Sequence, residues 1–576
     1  MKHDPSAVPP LAGTFLGNLR SNGLAGFFVF LIAMPLCLAI ARASGFPPLA
    51  GIWTAVIGGI LTSFLSNSQL TIKGPAAGLI VIVYGSVTEL GREFGADLSE
   101  ADRAYLGYRL TLGIGVAAGV IQVMFGLLRA GRLADFFPLT PVHGMLVSIG
   151  LIIISKQLYE VLGVAAPKNP DGSTYGPLGL YAALPGKLSE INPQIAVIGV
   201  LSLAILFGIP LLAKRLPVLK KVPSQLLVLI AAIALGSTVM FDLDHQHKYL
   251  FPDHMVNGRV EDGEYEVGPK FLVKIPNVLS DASKAFALPD FDGLATTTGL
   301  QYLLLFTLIG SLESLLSAKA IELLDPWKRK TNFDRDLLAI GLANILAAAV
   351  GGLPMISEIV RSKANIDNGA RTRSANAVHG LFLLGFVLLF PGLIHSIPLA
   401  ALGAMLVYTG FRLASPQEFV RTYRIGSDQF LVLIATIVAT LAVDLLVGIG
   451  VGIALEIGFL LWHGCPINGL WNAPVTVVAE GDTRSVVVVH RAAVFGNWLG
   501  LRMQIELAAI GKDEVTVDLS QTRMVDHSAM EKLHELERDF SERGQILSIR
   551  GLDLHTPLSE HPAAARKLPQ TPNLPM

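Results

Sequence analysis

Glu358, Arg361, Lys363, Asn365 and Asp367 crowd into LPMISEIVRSKANIDNGARTR (residues 353–373), between apolar runs long enough to enter a bilayer. Upstream, Glu313 stands among apolar residues in LIGSLESLLSAKA, with Ser317 one helical turn later on the same face. A third stretch, Lys73-Gly74-Pro75, opens an apolar run over 76–87 that is too short to cross a membrane at about 1.5 Å per residue. The chemistry open to such residues is capture of an anion. A helix that begins at mid-membrane exposes unpaired N–H groups and the positive end of its dipole, and both attract negative charge. Ala76, Ala77 and Gly78 are small enough to let a ligand reach that backbone, and Lys73 and Arg361 would add positive charge. The plainer alternative makes 72–75 a reentrant turn and Arg361 a loop residue. Ionisable residues inside membrane helices are rare and usually functional. Three readings are open for Glu313: a proton carrier, a Na⁺ ligand together with Ser317, or a structural ion pair with Arg361.

Other chemistries lack their signatures. HELER at 534–538 misses the HExxH zinc pattern, and neither a GxxxxGK[ST] phosphate loop nor a nucleophile elbow is present. The chain is therefore expected to be no enzyme, with no cofactor and no resident metal, and any pumping must run on an ion gradient or on exchange. His245, His247 and His254 read as part of a solvated polar loop.

The elements that must hold these residues follow from composition. The 576 residues are 52% hydrophobic and 15% charged, against about 25% charged in soluble proteins. Surface facing lipid explains the shortfall. A net charge of −1 gives no basic field for nucleic acid, and Cys37 and Cys465 are too far apart in sequence to suggest a disulfide framework. Spans are expected at 24–43, 49–66, 110–128, 142–163, 195–213, 223–241, 299–318, 335–351, 377–394, 397–411, 429–445 and 446–463, with the two interrupted segments bringing the count to fourteen. The interrupted segments fall third and tenth, matching places in two halves of seven, and such pairs point to a transporter's binding site. Lysine and arginine recur on alternate connections (Arg129 and Arg132; Lys214, Arg215, Lys220 and Lys221; Lys328, Arg329 and Lys330; Arg421 and Arg424), which puts those loops and both termini in the cytoplasm. Gly115-x-x-x-Gly119 and Gly448-x-x-x-Gly452 read as close helix packing.

After Trp462 the composition changes. Strand-like RSVVVVH, EVTVDLS and QILSIRG alternate with helical NWLGLRMQIELAAIG and SAMEKLHELERDFSERG, which implies a small α/β unit. The expected organisation is an N-terminal tail (1–20), a transmembrane transport domain (21–463), a linker (464–483), the α/β domain (484–555) and a loose Pro-rich tail (556–576).

Several motifs together resemble the SulP family of anion permeases. They are MPLCLAIARASGFPPLAGIW in the first spans, TIKGPAAG at the third, ESLLSAKAIELLDPWKRKTNFDRDLLAIGLANILAAAVGG, and above all PMISEIVRSKANIDNGARTR at the tenth. The C-terminal unit, with VTVDLSQTRMVDHSAM, is similar to a STAS domain. The resemblance implies an α-helical polytopic membrane protein of fourteen segments in a seven-plus-seven inverted repeat with core and gate domains, followed by a cytoplasmic STAS domain. It implies a multi-pass cell-membrane homodimer that carries a small inorganic anion, sulfate or bicarbonate, by secondary transport. Pro35, Leu36 and Cys37 would line the pocket, Ala76, Ala77 and Gly78 would offer amides, and Val360, Arg361 and Ser362 would be the tenth-segment contacts. Glu313 matches the acidic position of the eighth segment and Ser317 the hydroxyl paired with it in sodium-coupled bicarbonate members. Glutamate in place of aspartate favours H⁺ over Na⁺ as coupling ion, MPLCLA lies closer to bicarbonate-type members, and Lys73 departs from the pattern.

Two alternatives remain at this level: a dicarboxylate or nucleobase permease on the same scaffold, or a membrane-anchored anion sensor signalling through the STAS-like unit to a cytoplasmic partner. In related regulatory modules a serine at the turn in Asp526-His527-Ser528-Ala529 is phosphorylated. Here the degraded motif favours a helix cap by Ser528 or Asp526 over a regulatory Ser528.

Overall fold

The computed structural model describes residues 18–131, 138–169, 175–216, 223–238, 240–256, 259–327 and 329–569. Arg132, Lys220, Lys221, Lys328 and the outer parts of both tails lie outside the described residues. The chain divides into two compact units, 1–131 with 149–412 and 132–148 with 413–576.

Eight helices among the described residues are long and apolar enough to cross a membrane, and three shorter apolar ones accompany them. Their ends follow local sequence. The helix Glu100–Leu127 begins well before the expected span at 110 because Ser99 accepts the Asp102 N–H and Glu100 and Asp102 favour the first turn. Asn192 and Asn332 cap Pro193–Leu212 and Phe333–Ala349 in the same way. Gly119 packs against the Gly341 carbonyl and Ile345, where an added Cβ would come within 2.9 Å of that carbonyl oxygen. The glycine spacing in this helix is therefore internal packing of Glu100–Leu127 on Phe333–Ala349.

The two interrupted segments meet. Each is a four-residue strand leading into a helix: Ile72–Pro75 before Ile80–Phe94, and Met355–Glu358 before Ile359–Asp367. The strands pair antiparallel, with Ile72 opposite Glu358, Lys73 opposite Ser357, Gly74 opposite Ile356 and Pro75 opposite Met355. Where water is scarce every backbone polar group needs a partner, and side chains supply those the pair leaves open. Ser314 Oγ accepts the Ser357 N–H at 3.0 Å, Asn344 Oδ1 the Met355 N–H at 2.7 Å, Asn376 Oδ1 the Lys73 N–H at 3.3 Å and Ser362 Oγ the Ile72 N–H at 2.8 Å.

Lys73 is 1% exposed. Its ammonium donates to both oxygens of Asp336 at 2.8 Å and to Ser357 Oγ at 2.6 Å, and Ser66 donates to the same carboxylate. Asp336 is itself fully buried, so this ion pair ties the strand Ile72–Pro75 to the helix Phe333–Ala349.

In the second unit, helices Pro416–Ile425, Ser427–Ala442 and Leu445–Trp462 precede an α/β body. Asp444 is the cap of the last of these, accepting the Val447 N–H. The larger sheet runs in the order Ile546–Arg550, Glu514–Asp518, Arg484–Val489, Val475–Glu480, parallel except for the last strand. Helices Trp498–Ala508 and His527–Glu542 bury Trp498, Leu501, Leu533, Leu536 and Phe540 against it.

Three expectations change here. The stretch 464–483 is no plain linker, since Val475–Glu480 is a sheet strand. The tail is not loose over 556–567, where Thr556–Pro557 pairs with Arg566–Lys567 and the latter with Thr522–Val525. Of the two residues expected to cap the following helix, Ser528 is not the one that does. Asp526 is the cap, accepting the Ala529 N–H at 2.6 Å, while Ser528 is 1% exposed and accepts the Leu139 N–H at 3.2 Å.

Two stability predictions follow from these contacts. Lys73→Met strands a buried carboxylate and should cost roughly 3–5 kcal/mol, whereas Lys73→Met with Asp336→Leu should cost much less; thermal unfolding of the purified protein compares them. For Asp526, burial outweighs the two backbone amides it accepts and holds its carboxyl up at about 6. An unfolded aspartate titrates near 3.9, so the folded chain holds this proton more tightly. The resulting stabilisation is complete below about pH 4 and is lost as pH rises through about 6. Asp526→Asn keeps a cap, and the stability difference between wild type and variant should shift across that window and then level off.

Candidate functional site

The strand pair aims the starts of both half-helices into one region of the first unit. Alternation along Ile72–Pro75 turns Lys73 and Gly74 to opposite faces. Lys73 faces Asp336, and Gly74 faces Arg361, whose guanidinium occupies the space a Cβ on Gly74 would need. This corrects the expectation that Lys73 contacts the ligand: its donors are spent inside the protein.

Arg361 is 1% exposed and makes no ion pair among the described residues. Its Nη1 donates to Cys37 Sγ at 3.5 Å, while Nε and Nη2 are buried without a hydrogen-bond partner. A buried guanidinium with unmet donors is costly, and an anion would meet the cost. The structural ion pair of Glu313 with Arg361 does not form. Instead the Glu313 carboxylate lies against Gly78, in the place a side chain there would fill, with Oε2 buried and unpartnered. Ser317 is buried one turn beyond and makes no hydrogen bond to Glu313 among the described residues.

The remaining expected residues divide by what their groups already do. Ala76 donates its N–H to the Pro354 carbonyl at 3.3 Å, so that amide is taken. Ser362 spends its hydroxyl on Ile72 and Glu358 backbone and acts as a tie between strand and half-helix. Val360 is partly exposed beside it, and Pro35, Leu36 and Cys37 are buried in the first helix, Leu19–Ala43. Glu313, Ala77, Glu358 and Val360 all keep partial exposure, so the cluster borders open space.

Two residues at this site carried no assignment from sequence. Glu358 ends the second strand, with Oε1 buried and unpartnered and its carboxylate in electrostatic contact with both Glu313 and Arg361. His379, fully buried in Ser374–Leu389, is within electrostatic reach of Arg361. For Glu358 the signal was present, a carboxylate three residues before the arginine. For His379 nothing local distinguishes it from a core histidine.

The bicarbonate transporter BicA of Picosynechococcus sp. is 26% identical over 421 residues, covering 73% of this chain and 66% of that protein. A sodium-independent sulfate anion transporter of Bos taurus is 24% identical over 550 residues, 93% of this chain and 84% of the relative. The solved transmembrane domain of a cyanobacterium bicarbonate transporter BicA superposes with a TM-score of 0.58 at 23% identity, over 76% of this chain and 97% of that one. The structure of SLC26A9 gives 0.61 at 14% identity, over 92% and 84%. These likenesses show a helical, multi-pass membrane fold. The model of the sulfate permease family matches residues 19–436, and the chain belongs to that family.

Proposed function

We propose that the protein is a secondary active transporter of a small inorganic anion, sulfate or bicarbonate, driven by protons. The observation that carries this reading is Arg361: a buried guanidinium with two unpartnered nitrogens, placed where two half-helices begin. Helix N-termini and a fixed cation together suit a desolvated anion. Sulfate and bicarbonate are the substrates named for the relatives. Glu313 is the proton carrier in this reading, because its carboxylate stands at the third-segment turn without a cation partner, and Ser317 is not bonded to it. The chain is read further as fourteen segments in two inverted halves, with both termini cytoplasmic, the C-terminal α/β body as a STAS domain, and a homodimer as the working form.

Uptake into proteoliposomes of sulfate, bicarbonate, chloride, fumarate and uracil tests the reading. Accumulation of sulfate or bicarbonate under an inward proton gradient is expected. Binding without uptake would make the protein a sensor, and uptake of fumarate or uracil alone would move it to another substrate class.

Two variants follow. Arg361→Ala should fold and weaken anion binding by at least tenfold, because the buried guanidinium with unmet donors is gone; unchanged affinity would return Arg361 to a structural role. Glu313→Gln should abolish accumulation against a gradient while leaving anion exchange measurable. A variant that still concentrates anion with wild-type pH dependence would place coupling elsewhere.

A further inference from the structure

The helix Leu139–Leu162 is long and apolar enough to cross a membrane, yet it carries Lys156 six residues before its end. An ionisable side chain within a span is rare and usually functional, and its partner is the first thing to identify. For Lys156 the partner is not an acid. Its ammonium stands 3.6 Å from the centre of the Tyr84 ring, and among the described residues it makes no ion pair or hydrogen bond. The one carboxylate of the same helix, Glu160 a turn further on, is taken by Arg42 at 3.2 Å. Lys156 and Tyr84 are both half-buried.

An aromatic face attracts an ammonium through its quadrupole but carries no net charge. The ring therefore holds the positive charge of Lys156 in place without cancelling it. That separates Lys156 from Lys73, neutralised by Asp336, and from Arg42, neutralised by Glu160. It shares this state with Arg361.

Its position is specific as well. Tyr84 lies one turn beyond the start of the half-helix Ile80–Phe94, roughly 6 Å along it at 1.5 Å per residue. The edge of its ring would come within 3.6 Å of a Cβ on Gly45, in the turn that follows the first helix. The Arg42–Glu160 pair sits one turn further along Leu139–Leu162, with both side chains about 40% exposed. These two contacts join the same end of Leu139–Leu162 to the first helix and to the half-helix. With both termini cytoplasmic, as in the reading above, that end is the outer one.

Building on the anion-transport reading, we propose that Lys156 is a second anion-contacting residue, which the substrate meets between the outer solution and Arg361. Without an anion, the Tyr84 ring holds the ammonium. An arriving sulfate or bicarbonate brings a full negative charge and acceptor oxygens, which suit an ammonium better than a ring face does, and more so between apolar helices. When the anion moves on, the ring takes the ammonium back, so the charge is never left bare in the span. The step is ion pairing alone, and no covalent bond changes.

Sulfate uptake, with bicarbonate in parallel, tests this on the full-length protein in proteoliposomes, and thermal unfolding checks that each variant is folded. Lys156→Gln should raise KM several-fold and leave kcat within about twofold of wild type. Lys156→Arg keeps the charge and can stack on a ring, so its KM should stay close to wild type. Lys156→Cys separates charge from shape. An ethylammonium thiosulfonate puts a positive charge back and should lower KM, whereas an ethylsulfonate thiosulfonate adds a negative one and should raise it. Sulfate should slow both reactions. Wild type, whose Cys37 and Cys465 are buried, is treated alike as the control. The two reagents act on folded protein, so they decide the matter even where Lys156→Gln is unstable. An unchanged KM in Lys156→Gln, loss of kcat alone in both Lys156→Gln and Lys156→Arg, or one response to both reagents would each overturn the proposal. Lys156 would then be a structural contact, and anion transport would stand. A wild-type protein that moves neither sulfate nor bicarbonate would overturn the transport reading and this inference with it.

Discussion

Backbone groups that leave a helix within an apolar environment must find partners, and this constraint organises the first unit. Two segments break off their helices, and the cheapest partner for each exposed strand is the other. A four-residue antiparallel pair uses only part of the donors and acceptors on each strand. Ser314, Asn344, Asn376 and Ser362 complete them from four different helices. Polar residues scattered along otherwise apolar spans thus share one task. Their arrangement also fixes where the half-helices start, and that start is what a ligand would meet. Each such bond is worth about 1 kcal/mol net, but leaving the group bare costs more, so the network specifies position as much as it adds stability.

Much of this was legible in the sequence. The length and apolarity of the runs located the apolar helices, and Lys73-Gly74-Pro75 and the charged stretch 353–373 located the two breaks, because both violate what a spanning helix requires. The motif likeness then agreed with the family whose model matches residues 19–436. Legibility failed where partners are distant. Nothing near Lys73 announces Asp336, 263 residues away, so a buried lysine beside a candidate anion site read as a ligand group. The same limit hid the register of Ile72 on Glu358, which is what brings a second carboxylate to the site.

In the C-terminal body the errors were of another kind. Residues 464–483 and 556–576 were set apart by composition, since prolines and small residues read as linker and tail. Edge strands tolerate such sequences: Val475–Glu480 lies at the end of its sheet and Thr556–Pro557 at the end of the other. Aspartate and serine are both good caps, and the turn Asp526-His527-Ser528-Ala529 offered either. Which one caps is decided by what else lies within reach. Asp526 accepts the Phe495 and Ala529 amides with its two oxygens, and Ser528 is left to accept the N–H of Leu139.

The charge arrangement in the first unit separates structure from function in a way composition alone could not. Lys73 and Asp336 are complementary, mutually satisfied and sealed from solvent, so neither gains by meeting a further ion. Arg361 is buried as deeply, and Glu313 and Glu358 are partly exposed, yet all three retain buried, unpartnered atoms, and their charges do not sum to zero. A buried polar group without a partner is destabilising, and a ligand that supplied one would remove that cost. The strut and the site therefore lie on opposite faces of one short strand. The neutral face ties the strand to the helix Phe333–Ala349, and the other face meets the guanidinium of Arg361, whose Nε and Nη2 have no partner.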